Sequence, residues 1–77
     1  MYEINYYVHN QRKILPMQFS TVTGAAYFAN NFYLNRNIQT EVVDLNTGEV
    51  MAAFTYEGCY ISPTLDEAQH TDTFVEE

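Results

Sequence analysis

Apolar and polar residues alternate at the start of the chain. Every second residue from Tyr2–Val8 is apolar, which predicts a strand with one buried face. A polar break at residues 9–12 indicates a hairpin, and residues 13–19 then predict a second strand. Its apolar face comprises Leu15, Met17 and Phe19. Because Pro16 has no N–H to donate, we expect this strand to lie at a sheet edge or to carry a bulge.

The pattern changes to steps of three and four over residues 21–34, which predict the one convincing helix. Its apolar stripe comprises Val22, Ala25, Ala26, Ala29, Phe32 and Tyr33. Ser20 or Thr21 is suited to the N-cap, and the run 35–37 (Asn-Arg-Asn) is suited to the C-terminus. Gly24 and the alanines form a face of small residues. This face indicates either close approach of the helix to a sheet or contact between two helices in a dimer.

The second half of the chain again has strand character. Residues 38–45 and 49–56 predict two strands joined by a turn at Asn46-Thr47-Gly48, and residues 59–62 predict a short fifth strand. The sequence thus predicts an α+β fold of order ββαββ(β). A single helix packs on one face of a mostly antiparallel sheet of four or five strands, in the order 2-1-3-4-5. Residues 1–62 form one domain, and residues 63–77 form an acidic, disordered tail.

Charge is unevenly distributed along the chain. The net charge is −7, from ten acidic and three basic residues. Half of the acidic residues lie in the predicted tail: Asp66, Glu67, Asp72, Glu76 and Glu77. Three basic residues are too few to neutralise phosphates, so we expect no direct nucleic-acid binding. No apolar run approaches the roughly 18 residues of a membrane span, so we expect no membrane association.

Few residues with catalytic or metal-binding chemistry are present. The single cysteine, Cys59, can pair as nucleophile and base only with His9 or His70, and we expect it to be buried and inert. The spacing of cysteine and histidine matches no zinc or haem signature, and the three glycines are dispersed. We therefore expect no catalytic residue, no cofactor and no metal. A lone cysteine and the absence of a secretory signal pattern predict a cytoplasmic protein.

The predicted fold leaves one sheet face uncovered, and this face carries the main functional hypothesis. Its predicted apolar members are Tyr7, Val43, Met51, Ala53 and Tyr60. An apolar patch of this kind is typical of a contact surface, and tyrosine is enriched at interfaces. We expect a non-enzymatic protein-interaction domain that self-associates, for example as a homodimer, or docks on a protein partner through this face or through a sheet edge. The residues expected to carry the contact are Tyr7, Val43, Met51 and Tyr60.

The acidity supports an alternative hypothesis. A small acidic protein can present carboxylates in place of phosphates and so inhibit a nucleic-acid-binding protein. In size, acidity and lack of motifs the chain resembles the small proteins of phages and mobile elements, although no particular residue carries that resemblance. The placement of half the carboxylates in a predicted tail weakens the alternative, because a mimic needs a rigid charged surface.

Overall fold

One sheet and one helix make up the part of the chain that the structure describes. The computed structural model describes residues 1–63. The elements in chain order are β1 (Tyr2–Val8), β2 (Gln11–Phe19), α1 (Val22–Arg36), β3 (Thr40–Asp44), β4 (Val50–Thr55) and β5 (Gly58–Ile61). All neighbouring strands are antiparallel, in the order β2-β1-β3-β4-β5. The predicted α+β fold is therefore confirmed, including its strand order. Beyond Pro63, the predicted tail lies outside the described residues.

The first hairpin is tighter than its sequence suggests. His9 and Asn10 both have positive φ, at 53° and 65°, and Val8 pairs with Gln11 across them. Two consecutive residues with positive φ are the requirement of a type I′ turn, whose twist matches that of the flanking strands. Asparagine tolerates this backbone conformation better than most residues. As a result β2 begins at Gln11, two residues before the predicted start.

A bulge interrupts β2 around Pro16. Glu3 pairs with Gln18, but Asn5 pairs with Ile14, so β2 has extra residues opposite β1. This confirms the predicted edge position and irregularity. It also corrects the predicted face of β2, since Leu15 and Phe19 pack against the core whereas Met17 is exposed.

Both ends of α1 have caps. The side-chain oxygen of Thr21 accepts a hydrogen bond of 3.1 Å from the backbone N–H of Gly24. Asn37 follows the helix with φ of 56°, in the left-handed conformation, and its N–H donates to the carbonyl of Tyr33. Threonine and asparagine are each suited to these positions, so the predicted ends are correct to within two residues.

Small residues bring α1 close to the sheet. Ala25 and Ala29 are fully buried, and the Thr40 hydroxyl of β3 donates a hydrogen bond of 3.0 Å to the backbone carbonyl of Ala29. A side chain can reach a helix carbonyl in this way only where the helix backbone approaches the sheet closely. The sheet contact proposed for the small-residue face is therefore confirmed.

The core lies between α1 and one face of the sheet. Its buried members are Ile4, Ala25, Ala29, Val42, Met51, Ala52 and Phe54. The helix packs on β1, β2, β3 and β4, whereas all four residues of β5 are exposed. The last strand therefore extends beyond the cover that the helix provides.

Met51 is a correction to the predicted uncovered face. It is only 5% exposed and belongs to the core cluster. The pairing of β3 with β4 shifts at this point, because Val42 pairs with Ala52 while Val43 pairs with Val50. Met51 is the additional residue of this bulge, and simple alternation along β4 does not hold there.

Candidate protein-interaction site

The sheet face opposite α1, called the open face below, carries a row of side chains across all five strands. Strand pairing aligns Ile14, Asn5, Glu41, Ala53 and Tyr60. Alternation places this row opposite the core residues Ile4, Val42, Ala52 and Phe54. Tyr7 and Val43 occupy the same face, so three of the four predicted contact residues lie opposite the helix. Their role in binding stays a prediction.

The centre of this face is polar. One carboxylate oxygen of Glu41 accepts hydrogen bonds from the Asn5 side-chain amide at 3.1 Å and from the Tyr7 hydroxyl at 2.8 Å. Asn5 is 5% exposed, and its Oδ1 atom has no hydrogen-bond partner among residues 1–63. Burial raises the pKa of Tyr7, and the hydrogen bond to Glu41 and its charge raise it further. The face is thus a mixed surface, with a hydrogen-bonded polar centre beside the apolar side chains of Val43, Ala53 and Tyr60.

The two edges of the sheet differ in their protection against further strands. On β2, Arg12 and Lys13 are exposed, and Pro16 lies within the bulge. Charge, proline and bulges are the features by which natural sheets prevent edge pairing. Of the four residues of β5, none is charged and none is proline. Within residues 1–63 this second edge has none of these three features, and its short length is its one protective property.

Alternation of hydrogen bonds identifies which backbone groups of β5 have no partner within residues 1–63. The Ser62 N–H donates to the Met51 carbonyl at 2.9 Å, so these two residues form a hydrogen-bonded pair. Hydrogen-bonded and non-hydrogen-bonded pairs alternate along an antiparallel ladder. Tyr60 therefore bonds to β4, while Cys59 and Ile61 direct their N–H and C=O groups away from the sheet. Together they offer two donors and two acceptors along the outer edge.

A groove of about 260 Å³ lies beside this edge, between α1 and the β4–β5 hairpin. Its lining includes Asn30, Tyr33, Phe54, Tyr56, Glu57 and Cys59. The Tyr33 and Tyr56 rings are 6.1 Å apart between centroids, and the Tyr56 hydroxyl donates a hydrogen bond of 2.6 Å to the Asn37 carbonyl. That bond holds the ring of an otherwise exposed turn residue against the end of the helix. The groove thus has an aromatic wall with a fixed position.

The residues considered for catalysis are separated by the fold. Cys59 is exposed on β5, which corrects the expectation of a buried thiol, because the helix does not extend over this strand. His9 lies in the β1–β2 turn, and β3 and β4 separate β1 from β5 in the sheet. His70 lies outside the described residues. Within residues 1–63, no three His, Cys, Asp or Glu side chains are placed to hold a metal ion.

The sequence predicted contact through the open face or a sheet edge but did not identify the edge at β5. A signal was present, since Pro16 and Lys13 fall in the predicted second strand and Arg12 precedes it, whereas residues 59–62 contain neither proline nor a basic residue. The groove had no comparable signal. Its lining comes from α1, β4 and β5, and no spacing along the chain brings these residues together.

Comparison with protein-family models gives no match, and comparisons with curated proteins and with solved structures give no significant match. Within residues 1–63, no helix has the length and apolar character needed to cross a membrane. The edge at β5, the open face and the groove are therefore the features that bear on function.

Proposed function

We propose that this chain is a non-enzymatic protein-interaction domain that binds an extended segment of a partner protein as a sixth strand beside β5. The contrast between the two sheet edges is the observation that carries this proposal. A chain that protects β2 with Pro16, a bulge and two cations, and leaves β5 uncharged, is organised for pairing at one edge.

Strand addition suits the groups that β5 presents. The free N–H and C=O groups of Cys59 and Ile61 can form main-chain hydrogen bonds with an extended partner, independent of its side chains. Pockets for alternate side chains of the added strand then provide selectivity. The groove lies on the helix side of β5, and Tyr60 lies on the opposite side. A partner strand would therefore contact this domain on both faces of the sheet.

The open face has a supporting role in this proposal. Tyr60 is next to the edge, and Tyr7 and Val43 lie further along the same face, where a partner larger than one strand could contact them. A second copy of the chain could also pair its β5 with this one, which would produce the homodimer considered above. We further propose a cytoplasmic location, since an exposed unpaired thiol is stable in a reducing compartment.

Three of the five carboxylates in residues 1–63 form hydrogen bonds within the domain, which weakens the alternative of an acidic inhibitor. Asp44 accepts a hydrogen bond from the Asn46 N–H at 2.8 Å, and Glu49 accepts one from the Ser62 hydroxyl at 2.6 Å. Glu41 is bonded to two neighbours on the open face. These groups satisfy contacts within the domain, and nothing in residues 1–63 favours phosphate mimicry over strand addition.

Selection of binding peptides tests the proposal. Random twelve-residue peptides are displayed and selected on the full chain, and binders are then measured against the variants Ile61→Pro and Ile61→Ala. We expect Ile61→Pro to weaken binding at least tenfold, because it removes one outward N–H, and Ile61→Ala to have a much smaller effect. Ile14→Pro at the other edge is the matched control. Equal loss with Ile14→Pro and Ile61→Pro, or binders that neither variant affects, would contradict strand addition at β5.

A further inference from the structure

The groove beside β5 combines aromatic rings with one carboxylate. Tyr33, Phe54 and Tyr56 supply the rings, and Glu57 supplies the charge. The other lining residues, Asn30, Thr55, Gly58 and Cys59, add no positive charge. Aromatic faces attract a cation through their quadrupole, and a carboxylate adds a charge-assisted hydrogen bond. This combination favours a cationic side chain over an apolar or an acidic one.

The chain already contains one contact of this kind. The Arg36 guanidinium lies 4.6 Å from the centroid of the Phe32 ring, on the surface of α1. Within residues 1–63 this is the one cation placed over an aromatic ring, and the Tyr33 and Tyr56 rings have no such partner. The net charge of −7 also attracts cationic segments as they approach.

The register of an added strand determines which partner residue reaches the groove. Cys59 pairs with the core residue Phe54, so its side chain lies on the helix side of β5. Side chains directly opposite each other on paired strands lie on the same face. A partner residue paired with Cys59 would therefore project on the helix side, at the mouth of the groove.

We infer that the groove accepts the side chain of an arginine, or less tightly of a lysine, at the partner position that pairs with Cys59. The partner is thus an extended segment with a cationic residue between strand-forming neighbours. Arginine is favoured because its planar guanidinium can stack on Tyr56 and form a bidentate pair with Glu57. This inference rests on the proposed strand addition.

A set of four host peptides tests the inference. Each is a seven-residue peptide of alternating threonine and valine, with arginine, citrulline, leucine or glutamate at the centre. Dissociation constants are measured by amide chemical-shift titration of the full chain. Citrulline keeps the shape of arginine without its charge. We expect the arginine peptide to bind about tenfold more tightly than the citrulline peptide.

Two variants test whether the preference for the arginine peptide depends on Glu57. In Glu57→Gln the arginine preference should fall to less than about threefold. Glu3→Gln is the control, because it changes the net charge equally but lies on the open face of β1. The arginine preference should persist in this variant. If the peptides shift the Cys59 and Ile61 amides but bind equally, strand addition stands and the cationic site is overturned. A leucine peptide that binds most tightly, or a preference unchanged by Glu57→Gln, overturns it too. If no peptide shifts these amides, both strand addition and the cationic site fail.

Discussion

Ile14 in β2 and Ile61 in β5 lie at the two outer edges of the sheet, and the backbone N–H of each points away from it. For Ile61 this follows from the bond of Ser62 to Met51. For Ile14 it follows from Tyr7. The Tyr7 N–H donates to the Gln39 carbonyl at 3.0 Å, so the backbone of Tyr7 faces β3 and not β2. Hydrogen-bonded pairs between β1 and β2 fall at alternate residues, and in this alternation the Ile14 N–H points away from β1. The two isoleucines therefore allow the same substitution at the edge that has charge, proline and a bulge and at the edge that has none of them within residues 1–63.

Proline at either isoleucine should leave the fold intact, because neither N–H bonds within the sheet. We expect Ile14→Pro and Ile61→Pro to have free energies of unfolding within about 1 kcal/mol of the corresponding alanine variants. Tyr60→Pro removes an N–H that bonds to β4 and leaves its acceptor without that donor, so it should cost about 1–3 kcal/mol. Urea unfolding of the five variants measures these differences. An equal cost of proline at positions 60 and 61 would show that the assigned hydrogen-bond alternation is wrong.

Asn5 should lower the stability of the isolated domain. Its Oδ1 atom is buried without a partner in the described part of the chain, and an unsatisfied buried acceptor costs about 1–3 kcal/mol. Valine is of similar size and favours strands. Although Glu41 would lose one donor, it would keep its bond to Tyr7. We expect Asn5→Val to raise the free energy of unfolding by about 1 kcal/mol in urea titration, and a loss of stability would contradict this account.

Much of the fold could be predicted from sequence because it depends on local chemistry. The N-cap at Thr21, the C-cap at Asn37 and the edge position implied by Pro16 each follow from one residue's own preferences. The predicted strand order rested on Pro16 and on the cleaner alternation of the first strand, which placed the first strand inside and the second at an edge. The prediction of which sheet face each side chain occupies was less secure, because it depends on unbroken alternation along the strand.

Bulges are where the sequence prediction of side-chain position failed. Met17 and Met51 were both placed by alternation, and both lie at a register shift. A bulge of one residue reverses every assignment beyond it, and neither bulge has a glycine to mark it. Cys59 was misplaced for another reason. Its exposure depends on how far α1 extends over the sheet, which is a tertiary property that no local pattern contains.

The hydrogen bond from Thr40 to the Ala29 carbonyl should stabilise the packing of α1 on β3. Thr40→Val keeps the shape of the side chain and removes the donor. Because the site is buried, we expect a loss of about 1–2 kcal/mol in the free energy of unfolding. Thr40→Ser keeps the donor and serves as the control for lost methyl packing. A valine variant as stable as the natural chain would show that the bond makes no net contribution.

The Tyr7 contact with Glu41 predicts a specific dependence on alkaline pH. The pKa of Tyr7 is raised above 10.0 in the folded chain, so the unfolded chain loses this proton first as the pH rises. The contribution of this contact to the free energy of unfolding is fully present below pH 10, and it is lost as the pH rises from 10.0 through the higher pKa of the folded chain. Tyr7→Phe should remove this part of the decline. The stability difference between the natural chain and the variant should shrink above pH 10, and a constant difference would contradict the assignment.

Amide hydrogen exchange at β5 tests strand addition most directly. In the free domain the Cys59 and Ile61 amides should exchange rapidly, whereas the Tyr60 amide, bonded to β4, should be protected. When a peptide selected for binding is added at saturation, the Cys59 and Ile61 amides should slow at least tenfold. The Arg12 and Ile14 amides of β2 should not change. Unchanged exchange at Cys59 and Ile61 in the saturated complex, or slowing at β2 instead, would contradict the account.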